Sequence, residues 1–156
     1  MKRVNIHLAI LSVAVLLVAC DRAESPAAPT LLRPTENMVI AQNDPGIGCE
    51  FHPARGFGFR VVFDWTDSAS PEGISRYHLI VQQRNASRPA VDTYVVDSTY
   101  TDLNCNGYVA ERHLEDWEWR VRAEDNLGNM SPWSEAGLFQ FAPCRLADGT
   151  PCTAPP

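Results

Sequence analysis

Strict alternation of apolar and polar residues in short runs is what most limits this chain. In the run 57–65, Phe59, Val61, Phe63 and Trp65 fall on one face. In 117–123, Trp117, Trp119, Val121 and Ala123 alternate with Glu118, Arg120 and Arg122. A period of two puts successive side chains on opposite sides of an extended backbone, so such runs are strands with one apolar and one wet face. The same reading gives strands at 77–82, 91–96, 99–103 and 138–141, and a proline-bracketed edge strand at 29–34 that 38–41 continues. Asn43-Asp44-Pro45-Gly46, the stretch 67–73, Asn85 to Pro89 and Asp125 to Asn129 are rich in turn formers. No run has a sustained helical period; at most one turn is expected at 113–116. About seven strands in roughly 110 residues predict two antiparallel sheets sharing one core.

The beginning of the chain follows other rules. Met1-Lys2-Arg3 is basic, and a run from Leu8 to Ala19 is apolar except for Ser12. This is the layout of a secretory signal. Twelve residues make about 18 Å of helix, short of the ~30 Å hydrocarbon core, so a permanent span is not expected. The run ends Leu17-Val18-Ala19-Cys20, which resembles the lipobox of bacterial lipoproteins at all four positions. The resemblance implies cleavage before Cys20 and diacylglyceryl and acyl groups on that residue, including palmitate. Two or more acyl chains give stable anchoring where one is marginal. The bland alternative is an ordinary signal with a chance cysteine. Residues 1–19 are therefore expected to be the signal peptide, 20–28 the lipidated cysteine and tether, 29–143 the folded domain, and 144–156 a disulfide-closed tail. The expected location is the bacterial cell envelope, with attachment to a membrane through Cys20.

Cleavage would leave 156 − 19 = 137 residues, enough for one domain. Of 13 Lys and Arg, Lys2 and Arg3 are lost, so 11 face 19 Asp and Glu and the net charge is −8. An acidic surface argues against nucleic-acid partners. The interleaved Arg55-Gly56-Phe57-Gly58-Phe59-Arg60 is accordingly read as strand. Cys49, Cys105, Cys144 and Cys152 remain; in an oxidising compartment an even count reads as two disulfides, with three pairings open.

The stretch Trp117-x-Trp119-Arg120-Val121-Arg122-Ala123-x-Asp125-Asn126-x-Gly128-Asn129-x-Ser131-Pro132-Trp133-Ser134, with Trp65 ending the second strand and Tyr77 starting the third, resembles fibronectin type III domains over residues 29–141. Trp117 stands where that family usually has a corner tyrosine. The resemblance implies an all-β, seven-stranded, immunoglobulin-like antiparallel sandwich whose second and fifth strands are neighbours. It also implies a bridge between Cys49 and Cys105, leaving Cys144 with Cys152. Chain entropy assigns about 4 kcal/mol to the long loop and about 2.5 kcal/mol to the short one.

No catalytic motif was found. Gly-x-Ser-x-Gly and His-Glu-x-x-His are absent, and Glu115-Asp116 and Glu124-Asp125 read as solvated loop carboxylates. Neither catalytic residues nor a cofactor are expected. Cys49, His52, Cys105 and His113 have ligand chemistry for zinc, but disulfide formation would consume the thiolates, so no metal is expected. The sequon at Asn85 is read as chance. Arg120 and Arg122 face outward near Trp133, and in this family such a tryptophan stacks on the arginines. That ladder is either purely structural or, with His78 and Ile80, a ligand platform. The expected function is a non-enzymatic membrane-anchored lipoprotein whose module makes protein contacts; the alternative is a carbohydrate-binding lipoprotein.

Overall fold

The structure, a computed structural model, describes residues 24–41, 49–52, 56–104, 115–143 and Thr150. Its strands are β1 (Leu31–Arg33), β2 (Met38–Ile40), β3 (Cys49–His52), β4 (Gly56–Trp65), β5 (Ile74–Gln83), β6 (Val91–Val95), β7 (Thr99–Asn104), β8 (Trp117–Asp125) and β9 (Gly137–Phe141). They form two sheets. In one, β4 pairs with β7 along one edge and with β1 and β3, end to end, along the other. The second sheet runs β2-β9-β8-β5-β6. The protein is thus an all-β sandwich, and the described residues contain no helix long and apolar enough to cross a membrane.

The alternation read from the sequence sets which side of each strand is buried. Val61, Phe63 and Trp65 of β4 face Leu79 and Val81 of β5 and Trp119, Val121 and Phe139 of β8 and β9 in one cluster. The aromatic rings meet edge to face: Phe63 lies 5.2 Å from Trp119 and Trp65 lies 5.5 Å from Tyr77 between ring centroids. Trp117, at the expected position of a corner tyrosine, packs on Phe139 and Phe141 at 6.1 and 5.9 Å. Gly137 is required by proximity. A Cβ there would lie 2.6 Å from Trp119 Nε1 and 2.9 Å from Leu31 Cδ1, so any side chain would push β9 off the core.

The sandwich has nine described strands where seven were expected. One addition arises because Pro34 has no N–H with which to extend the pairing of β1. The chain crosses to the other sheet there, and β2 runs parallel to β9, with Met38 opposite Phe139 and Ile40 opposite Phe141. The run 38–41 therefore does not continue the first strand, and the five-stranded sheet is mixed rather than purely antiparallel. The other addition is β3, in a stretch expected to connect strands. Its Cys49 pairs with Phe59 on the edge of β4 away from Asn104, which pairs with the same Phe59. Two strand spacings, roughly 9.5 Å, separate Cys49 from Asn104. The expected bridges fall outside the described residues, as do Cys20, Cys105, Cys144 and Cys152, the side chain of Cys49, and the start of the turn expected at 113–116. Of the zinc candidates, the side chain of His52 and all of His113 are outside them too.

Candidate functional site

The outer face of β5, β6 and β8 is built by one hairpin and one clamp. At the hairpin, the Asp125 carboxylate accepts hydrogen bonds from the backbone N–H groups of Leu127 and Asn129 at 2.9 and 2.8 Å and from Asn129 Nδ2 at 2.9 Å. Gly128 supplies the left-handed residue, with φ 84°. Burial pushes the Asp125 carboxyl up, but these donors outweigh it and hold the carboxyl below its ordinary value. A depressed carboxylate stabilises the fold above its unfolded pKa, about 3.9, and that contribution disappears as pH falls through the lower folded value. Acid titration should therefore show a loss of stability below about pH 4, and Asp125→Asn should flatten it; an unchanged acid limb in urea melts would count against this role.

After the hairpin the chain returns along β8 without becoming a regular strand. Ser131 N donates to Ala123 O, and Ser131 Oγ accepts from Ala123 N, both at 2.9 Å. Ser134 repeats the pattern on Val121, at 2.8 and 3.1 Å. The two serines satisfy the edge of β8 beyond the reach of β9, which pairs only with Trp117 to Trp119. They also place Trp133 over the outward side chains of β8. Ser131→Ala would leave a buried N–H unpaired, at a cost of about 1–3 kcal/mol, and should lower the urea midpoint accordingly. A shift below a few tenths of a kcal/mol would show the clamp to be dispensable.

Trp133, half-buried, has the Arg122 guanidinium carbon 4.4 Å and the Arg120 carbon 4.8 Å from its ring centroid. His78 lies 5.1 Å away on the neighbouring strand. The structure therefore gathers four of the five residues singled out in the sequence: Trp133, Arg120, Arg122 and His78. Ile80 is on the same face, paired with Arg120 in the β5–β8 register and half-buried, but among the described residues its side chain enters no polar or ring interaction.

Three more residues belong to the face. Tyr94 of β6 is opposite His78 and stacks on it at 4.3 Å and 16°. Arg76 covers Tyr94 at 4.3 Å and pairs with both oxygens of Glu124 at 2.7 and 3.0 Å. Asp92 Oδ1 lies 2.7 Å from His78 Nε2. Arg122 Nη2 approaches the other nitrogen of the ring, Nδ1, at 3.3 Å. A guanidinium only donates, so Nδ1 accepts and Nε2 carries the proton toward Asp92. These neighbours bury His78, which alternation alone would expose. A sequence signal for Tyr94 existed in the alternation of 91–96, but its partner depends on register, which a single strand does not encode.

The face is charged in a particular way. Glu124 is taken by Arg76, Asp92 by His78, and Glu118 by Gln82 Nε2 at 2.6 Å. Arg120 and Arg122 pair with no carboxylate among the described residues. Elsewhere the described cavities are open clefts. The groove lined by Pro29, Leu31, Pro34, Glu36, Glu135 and Gly137 holds about 250 Å³, and the cleft around Asp67, Ile74, Tyr77, Val96 and Asp97 about 450 Å³. Neither is lined by a histidine or cysteine.

No protein-family model matches the chain, and no curated protein matches it. Among solved structures, one described as "Myokine structure" is similar at 16% identity, covering 78% of this chain and 99% of that chain with a TM-score of 0.43.

Proposed function

We propose that this chain is a non-enzymatic lipoprotein of the bacterial cell envelope. Lipid on Cys20 holds it to a membrane, and a fibronectin type III-like sandwich stapled by disulfides presents the outer face of β5, β6 and β8 to a protein partner. The observation that carries the contact role is the pair of guanidinia, Arg120 and Arg122, held on Trp133 without a carboxylate partner among the described residues, in a chain of net charge −6. Arginine and tryptophan are the residues most enriched where protein interfaces concentrate their binding energy. The family reading is supported by the pairing of β4 with β7, the second and fifth of the seven expected strands. Residues 29–143 form the presented domain, and 144–156 the tail closed by Cys144 and Cys152.

The rings speak against sugar stacking as the main mode. Tyr94 already has a guanidinium and an imidazole at 4.3 Å, and Trp133 has two guanidinia within 4.8 Å. A stacking site for carbohydrate needs an uncovered ring face.

The experiment is affinity capture from solubilised envelope material on the full-length chain in detergent. A discrete protein retained by the oxidised chain and lost in Trp133→Ala is expected. Retained polysaccharide, released by free sugar, would overturn the proposal in favour of a carbohydrate-binding lipoprotein.

A further inference from the structure

The reading above leaves the partner's chemistry open; resting on that reading, we infer that the Arg120–Trp133–Arg122 stack binds an extended acidic segment of the partner protein, with carboxylates at alternate positions. Stacking on an indole occupies the face of a guanidinium and leaves its N–H edge free, the edge that pairs bidentately with a carboxylate. Arg76 shows that pairing within the same face: it covers Tyr94 while holding both oxygens of Glu124. Arg120 and Arg122 also lie over a ring and have no carboxylate among the described residues; Arg120 keeps its N–H edge for a bidentate pair, whereas Arg122, with Nη2 at His78 and Nε buried, offers its charge and its remaining N–H groups.

The other charged groups on the face are already engaged. Glu118, Glu124 and Asp92 each have a partner, and His78 is held between Asp92 and Arg122. What remains is two adjacent positive charges. Arg122 is fixed by its contact with His78, and its Nε is shut away from water with no partner among the described residues. Arg120 is exposed.

Spacing selects the kind of acid. Arg120 and Arg122 are two residues apart on one strand, so their backbones are separated by about 6.8 Å. An extended peptide repeats its same-side residues at the same interval, so acids at alternate positions meet both arginines and neighbouring acids meet one. Half-buried Ile80, opposite Arg120, gives the segment an apolar contact beside the charges.

The test uses the full-length chain in detergent and three labelled peptides read by fluorescence anisotropy. They are Gly-Glu-Thr-Glu-Thr-Gly, its glutamine form Gly-Gln-Thr-Gln-Thr-Gly, and Gly-Glu-Glu-Thr-Thr-Gly. The first is expected to bind roughly tenfold more tightly than the glutamine form and several-fold more tightly than the third, with affinity falling as salt rises. Arg120→Gln should weaken it roughly tenfold, and Arg120→Lys less, because a lysine keeps the charge and loses the fork. Arg120 is exposed and lies outside the buried core, so its variant is expected to keep the fold, which a thermal melt on the same sample checks. Equal binding of the glutamate and glutamine peptides overturns the inference. So does unchanged binding by Arg120→Gln, or binding of polygalacturonate in place of the peptides. Envelope capture of a protein that persists in Arg120→Gln also overturns it, while leaving the protein-contact reading standing.

Discussion

Replacing Phe63 by alanine should lower the unfolding free energy by about 3–5 kcal/mol. The ring is fully buried in the C-terminal half of β4 and lies edge to face with Trp119 of β8 and Phe139 of β9 at 5.2 and 5.9 Å. It therefore joins the two sheets at the point where the core is most aromatic. Truncation removes its transfer free energy and both ring contacts, and Trp119 and Phe139 sit on backbones too firmly paired to close the gap. Against a total stability of order 5–15 kcal/mol, this is a large fraction. The melting temperature should drop by roughly 10–20 °C for a domain of this size. Urea melts followed by tryptophan fluorescence give the number directly. A loss below about 1 kcal/mol would mean that Phe63 does not bridge the sheets as described.

Changing Cys20 to alanine should abolish lipid attachment altogether. The proposal makes the thiol of Cys20 the acceptor of the diacylglyceryl group and its amino end the acceptor of a further acyl chain. Each buried methylene contributes ~0.8 kcal/mol to membrane association, so two or more chains hold the protein stably and their loss removes the whole term. Fatty-acid labelling in the source organism, with mass spectrometry of the N-terminal peptide, reads the outcome. The expected result is a labelled, acylated peptide beginning at Cys20 in the native chain and background label in the variant. Label retained after the substitution, or a mature chain beginning at another residue, would sink the anchor.

The strands that the sequence made plain are those whose two faces meet different surroundings. In β8, Trp117, Trp119, Val121 and Ala123 are buried and Glu118, Arg120, Arg122 and Glu124 look outward, and this contrast is written directly into residue type. β5 extends three residues before and one beyond the expected run because its ends, Ile74 and Gln83, pair with Asp125 and Trp117 of β8; tertiary pairing, not local pattern, sets that length. β2 has only three residues, and what makes it a strand is β9 beside it. The same division holds for the candidate site. Arg120 and Arg122 were legible from alternation, and Trp133 from its place just past the hairpin. The serines that clamp Trp133 act through their backbones as much as their hydroxyls. Tyr94 joins His78 only through the β5–β6 register. Ser131 and Ser134 stand in the stretch that resembles the family and Tyr94 in an alternating run, but the clamp and the register that give them their partners have no signature in a single run of residues.

The crossing of the N-terminal segment from one sheet to the other has a mechanical consequence. Before β1, Thr30 and Thr66 bind each other through Thr66 N to Thr30 O at 2.9 Å and Thr30 N to Thr66 Oγ1 at 3.0 Å. After it, Asn37 N reaches Leu138 O at 2.8 Å, Leu138 N reaches Glu36 Oε2 at 3.0 Å, and β2 runs in the same direction as β9. Under the proposed anchoring, with a partner held on the five-stranded sheet, the chain would be pulled lengthwise along β1 and β2. Hydrogen bonds across a strand pair loaded in that direction are strained together, not opened one at a time from an end. Both layers grip the N-terminal segment, so a pull applied there would meet shear resistance before it could peel either sheet.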